Sequence, residues 1–283
     1  MLSALSELKG ELLPALDAFV EASRRLDKSR AVKSLTTALE RDIASAFRKQ
    51  GAVVLEKLGA YKDRYPVAES SYDLSETLSP KEWMIIFGEV SDETLDLFSR
   101  PLLKHVQAAL KAGGNQVVNS LGISELNFSL ANPGAMRYLD LVGGLHIKDI
   151  NETTRGTIQT LLSKAGEEGW SYDKLAKEIR GRFEEFAIGQ PQAHIASRAH
   201  LVAVTEIGDA YENAARLAAG DLQAGGLVME KIWRTAGDGK VSAGCQENAA
   251  QGWIPYNQAH ASGHMSPLRF PGCRCDEEYR RKE

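Results

Sequence analysis

The chain has 283 residues, 43% hydrophobic and 25% charged, with a net charge of −4 and a pI near 5.9. That length supports a real core in one large or two modest domains. The acidic balance argues against a surface built mainly to hold nucleic acid, although a local basic patch stays open. No run approaches the roughly 18 apolar residues of a membrane span. The start, "MLSALSELKGELLPALD", carries Glu7 and Glu11 among its leucines and has no early basic region. It reads as an amphipathic helix rather than an export signal. Three cysteines are an odd number and too few for a disulfide framework, so reduced thiols in a cytoplasm are expected.

Residues 2–60 read as helical. Leu35, Leu39, Ile43, Ala46, Phe47, Val54 and Leu58 recur at three- and four-residue spacing, with charges on the other face. Pro14 lies inside the first apolar segment and predicts a helix start or kink there. The stretch "RYPVAESSYDLSETLSP" reads as a loop. Ser79 then caps a new helix, with Pro80 at its first position and Glu82 closing a capping box. "SDETLDLFSRPLLKHVQAALKAGG" reads as a further helix start and run, ended by Gly113-Gly114. Segment 66–100 holds eight acids against two bases, Lys81 and Arg100. That is a solvated face, or one that repels DNA or meets a basic partner.

Asn132 and Pro133 open the next helix. "INETTRGTIQTLLSKAGEEG" and "WSYDKLAKEIRGRFEEF" predict a helical hairpin turning at Gly169, with Ser171 capping the second arm. "PQAHIASRAHLVAVTEIGDAYENAARLAAG" reads as a long helix. From Gly225 onward glycine and proline become frequent, "VMEKIWRTAG" has strand character, and "GDG" signals a turn. The end, "EEYRRKE", reads as a frayed charged tail. The expected fold is mostly α, with a helical N-terminal part and a small loop-rich α+β C-terminal module. The boundaries are a helical domain over 1–125 and a second over 126–283. The second divides into a helical part (126–220), the small module (221–276) and the tail (277–283).

The residues that could carry chemistry lie late in the chain. Cys273 and Cys275 are two apart, so on an extended segment both thiols face one side. With Cys245 and a histidine, His264 or His260, they could make a tetrahedral Cys3His zinc site. The alternative is buried thiols with loop histidines. Glu206 sits beside Thr205 in the middle of an apolar helix face, and a buried carboxylate needs a partner. It reads as a structural acid that anchors the following module, with a catalytic carboxylate as the other option. Arg198 lies two turns earlier on nearly the same face. Asp238 reads as a turn residue between two glycines. Trp233 and Trp253 read as core of the small module.

Several stretches together resemble one family, the Mu F-like phage head-morphogenesis or minor capsid proteins. They are "NFSLANPGAMRYLD", "INETTRGTIQTLLSKAGEEGWSYDKLAKEIRGRF", "VTEIGDAYENA", "KIWRTAGDGKV", "CQENAAQGWIP" and "PGCRC", in the family's order over residues 120–275. "AFRKQGAVVLEKL" is similar to the family's helical N-terminal half. Three positions depart from the pattern. Ser242 stands where family members often have the first cysteine of C-x-x-C, Phe270 stands where they often have a histidine, and Val204 replaces an arginine before Thr-Glu. Serine is a poor zinc ligand and phenylalanine is none, so well under one zinc per purified chain is expected.

The resemblance implies a portal-associated minor head protein of a phage or prophage. It would lie in the virion, having passed through the host cytoplasm during assembly, with the portal protein, other head proteins and phage DNA as candidate partners. It implies no cofactor, and no membrane. The rival classes are a metal-dependent hydrolase using the Cys/His cluster with Glu206 as acid/base, a toxin-type transferase and a helical intracellular adaptor. ADP-ribosyltransferase toxins generally need a Glu-x-Glu arrangement, which this sequence does not contain.

Overall fold

A computed structural model describes residues 2–64, 78–123, 126–168, 170–188 and 195–282. The fold is mostly α, closed by a small antiparallel sheet. Helix α1 (Leu2–Arg64) and helix α2 (Pro80–Ser120) pack against each other. Helix α3 (Pro133–Leu141) runs through a π-helical turn (Val142–His146) into α4 (Ile147–Glu167). Helix α5 (Tyr172–Ile188) returns beside α1, and α6 (Arg198–Ala224) crosses the body against α2. The module then adds β1 (Met229–Arg234), α7 (Ala243–Ala250), β2 (Ile254–Pro255) and β3 (Asp276–Arg281), in the sheet order β2-β1-β3. Among the described residues no helix is long and apolar enough to cross a membrane.

The α1 periodicity places its core as expected. Leu39, Ile43, Ala46, Phe47, Val54 and Leu58 are buried, and Leu35 packs against them partly covered. The Phe47 ring meets Phe98 of α2 at 5.3 Å and Phe186 of α5 at 5.4 Å, so one aromatic joins three helices. Burying such a ring contributes about 1.5–3 kcal/mol. Gln50 donates to Thr94 Oγ1 and to Asn151 Oδ1, linking α1, α2 and α4 through buried polar groups. One apolar core runs from Leu39 to Tyr279 and so spans both sides of residue 125. Helix α1 continues through Pro14, and no helix starts there.

Ser79 caps α2 as expected, with both bonds of the capping box to Glu82. Two other expectations for this helix fail. No second start occurs at Ser91, because the buried row Trp83, Phe87, Val90, Thr94, Phe98, Leu102 and Val106 continues through it without a break in phase. Nor does the helix end at Gly113-Gly114. Those glycines let neighbours approach: a Cβ on Gly113 would stand 2.1 Å from the Tyr211 carbonyl oxygen of α6, and one on Gly114 would stand 2.1 Å from the Phe128 ring. The stop comes at Gly122, with φ +73°. There the Ile123 N–H reaches the Val118 carbonyl and the Gly122 N–H reaches Asn119, the paired C-terminal closure that left-handed glycine permits.

Asn132 caps α3, accepting from Gly134 and Ala135. The hairpin of α4 and α5 forms, with Ser171 accepting from the Lys174 N–H at 3.3 Å. Gly169 lies outside the described residues. The C-terminal "tail" is instead strand β3, paired with β1 over the full register from Met229↔Arg281 to Arg234↔Asp276. Its charges mislead because they alternate with the inward-facing Glu277 and Tyr279, both buried.

Candidate functional site

Helix α6 carries three acids at three-residue spacing in an alanine-rich face, and each takes a different partner. Glu206 binds Nδ1 of His146 at 2.7 Å, with the histidine delivered by the π-helical turn. Asp209 accepts from the Tyr138 hydroxyl at 2.8 Å. Glu212 accepts from the backbone N–H of Glu277 at 2.9 Å. The hydrogen bond that His146 gives to the Glu206 carboxylate holds the imidazole pKa above its ordinary range. Burial raises the Asp209 carboxyl, and burial with the nearby Asp209 and Glu206 charges raises Tyr138.

The expected anchoring role of Glu206 is therefore corrected. It ties α6 to the helical body, while its neighbour Thr205 ties α6 to the module. Thr205 Oγ1 donates to the Leu201 carbonyl and accepts from the Gly272 N–H. Arg198 does not reach Glu206. It lies between the Phe47 and Phe186 rings, at 4.8 and 4.6 Å, and donates to Thr154 Oγ1 and the Ile150 carbonyl. Burial lowers its pKa to about 10.

A second polar group is buried under the sheet. Lys231 of β1 and Glu277 of β3 meet diagonally across the pair at 3.8 Å, both side chains fully enclosed. Glu277 also binds Nε2 of His260 at 2.5 Å and accepts from the Tyr279 hydroxyl, and Lys231 donates to the Met265 carbonyl. Burial pushes the Lys231 ammonium down. Neither Glu212, which lies within "VTEIGDAYENA", nor Glu277 was singled out as a site residue by the sequence. Their one sequence signal was regular spacing: acids at 206, 209 and 212 on a small-residue helix, and Glu277 in phase with Tyr279.

The three cysteines converge. Cys245 comes from the first turn of α7, and Cys273 and Cys275 from the extended segment before β3. All are buried and free, and their sulfurs lie within 4.8 Å of one another, Cys245 and Cys273 at 4.0 Å. Trp233 is wholly buried against them, as expected. Contact with the Cys275 thiol pulls Cys273 down to about 5, and the same contact holds Cys275 up. Ser242 and Phe270 line the small cavity beside the sulfurs, with Lys240 and Arg274. A larger cleft of about 490 Å³, walled by Val204, Gly208 and Arg234 among others, also reaches Cys273 and Cys275.

His264 does not join this group. Its Nδ1 meets Ser262, and His260 is held by Glu277 with its ring edge-on to Trp233. Among the described residues, three of the four ligands of a structural zinc site thus come together, and neither His260 nor His264 is the fourth. Asp238 is the expected turn residue, accepting from the Lys240 N–H at 3.1 Å, and it also pairs with Arg274 at 2.7 Å, between the two thiols. That arginine holds its carboxyl below the ordinary range. Trp253 is not core. It is half-buried, with the Arg280 guanidinium 4.2 Å above its ring. Compared with protein-family models, with curated proteins and with solved structures, the chain matches none.

Proposed function

We propose that this chain is a minor head protein of a phage or prophage, similar to the Mu F-like head-morphogenesis proteins. In this reading it works beside the portal in the virion, after assembly in the host cytoplasm. It acts in head morphogenesis and in DNA packaging or ejection. The observation that carries the reading is the ordered set of motif segments over 120–275. Their convergence supports it. Thr205 of one segment holds Gly272 of another, Asp238 of a third holds Arg274, and Trp233 packs on Cys245 of a fourth and on Cys273 and Cys275. Residues so used hold the C-terminal module in place.

Charge gives the reading its testable form. Residues 1–65 hold twelve bases and nine acids, against the acidic 66–100 segment. Part of that contrast is satisfied within the chain, since Lys57 of α1 pairs with Glu89 and Glu93 of α2. Others are paired as well, Arg48 with Glu184 and Arg100 with Asp96. The charge contrast between the two segments would steer the portal protein, other head proteins or phage DNA, and exposed charge pairs weaken beyond roughly 8 Å at physiological salt. Coexpression with the portal protein of the same genome, followed by pull-down at several salt concentrations, tests this. Copurification that weakens as salt rises is expected. No binding even at low salt contradicts it.

A further inference from the structure

The three sulfurs already stand at ligand spacing. A metal–thiolate bond of about 2.3 Å sets sulfur–sulfur edges of roughly 3.8 Å in a tetrahedral site and 4.0 Å in a trigonal one. Cys245 and Cys273 are 4.0 Å apart, and Cys275 completes a triangle whose sulfurs all lie within 4.8 Å. They come from two separate elements, so the triangle is a tertiary arrangement and not a consequence of the C-x-C spacing alone. Both candidate histidines are engaged elsewhere. What faces the sulfurs instead is the Ser242 hydroxyl, which shares the Arg269 guanidinium with Cys245, at 3.2 and 3.9 Å respectively. Arg269, Lys240 and Arg274 place positive charge where bound thiolates would carry negative charge.

We propose that Cys245, Cys273 and Cys275 form a three-sulfur site for one thiophilic d10 metal ion, with its fourth position open to the cavity beneath Ser242 and Phe270. Three thiolates suit soft ions, whereas zinc is served best by four protein ligands in a structural site. Each thiol that ligates releases its proton to solvent. The ion would clasp α7 to the segment leading into β3, and the larger cleft along α6 gives it an entry path. The inference does not rest on the portal reading.

The test titrates cadmium(II) into the reduced, metal-free full-length protein. One equivalent should bind, with thiolate-to-metal charge-transfer absorption in the ultraviolet and protection of all three cysteines from alkylation. Cys245→Ser and Cys273→Ser should each weaken binding on the order of tenfold or more. Ser242→Cys offers a fourth sulfur and should tighten zinc(II) by a similar factor, a gain that a misfolded variant does not produce. Absence of charge-transfer absorption at one equivalent overturns the proposal. So does unchanged cadmium affinity in both serine variants, or a zinc affinity that Ser242→Cys leaves unmoved.

Discussion

Gly272 donates its backbone N–H to Thr205 Oγ1 at 2.9 Å across 67 residues of sequence. The bond docks the segment that carries Cys273 onto helix α6, one residue away from the Glu206–His146 pair that docks α6 onto the body. Adjacent residues on one helix therefore serve opposite sides of it. Thr205→Ala removes that acceptor and should cost about 1 kcal/mol. Thr205→Ser should retain most of the stability. Denaturant unfolding of the two variants checks this, and amide exchange should quicken first around Gly272.

Glu206→Ala should lower stability by about 1–3 kcal/mol, because His146 and the α6 face lose a charge-assisted bond. The pH dependence has a definite sign. The folded His146 pKa is raised, so its contribution is complete below the unfolded value of about 6.5 and is lost as pH rises through the folded value. Glu206, Asp209, Asp149 and Tyr138 are the titratable groups that face or influence it. His146→Gln should therefore be destabilised most at mildly acidic pH and approach the parent at alkaline pH. Melting temperatures across pH 5 to 9 measure the gap, and a gap that widens with pH contradicts the assignment.

Removing residues 276–283 should unfold the C-terminal module. The truncation deletes β3, strips Lys231 of Glu277, and uncovers Met229 where it joins the main core. A frayed tail would be removed without effect. Loss of the cooperative transition, or rapid proteolysis between Gly225 and Cys275, is the expected result.

Gly113→Val should be more damaging than its position in a helix suggests. A Cβ there has the Tyr211 carbonyl at 2.1 Å, so α2 and α6 must separate. Overpacking of this kind costs roughly 1–3 kcal/mol or more. Gly88, whose Cβ would meet nothing within 4 Å, is the control, and Gly88→Ala should be neutral or stabilising by up to about 1 kcal/mol.

The legible parts of this chain were those governed by local rules. The α1 periodicity, the Ser79 capping box, the Asn132 and Ser171 caps and the Asp238 turn each depend on residues within a few positions of one another, and each reads through to the structure. The same local rules failed where a distant partner decided the outcome. Gly113-Gly114 looks like a helix stop but is a contact with Tyr211 and Phe128, and the real stop at Gly122 is marked by the same residue type. The charges of "EEYRRKE" hide the alternation that places Glu277 and Tyr279 inside. In the candidate site, the C-x-C spacing brought two thiols to one side, and Cys245 joined them. That His264 and His260 stand apart from the sulfurs turned on Ser262 and Glu277 respectively, partners that no spacing could name.

The central claim is that this chain belongs in a phage head, and mass spectrometry of purified particles tests it most directly. The account predicts peptides of the chain in DNA-filled particles, at a few copies relative to the major capsid protein and in step with the portal. Particles that contain the portal and lack this chain would contradict it.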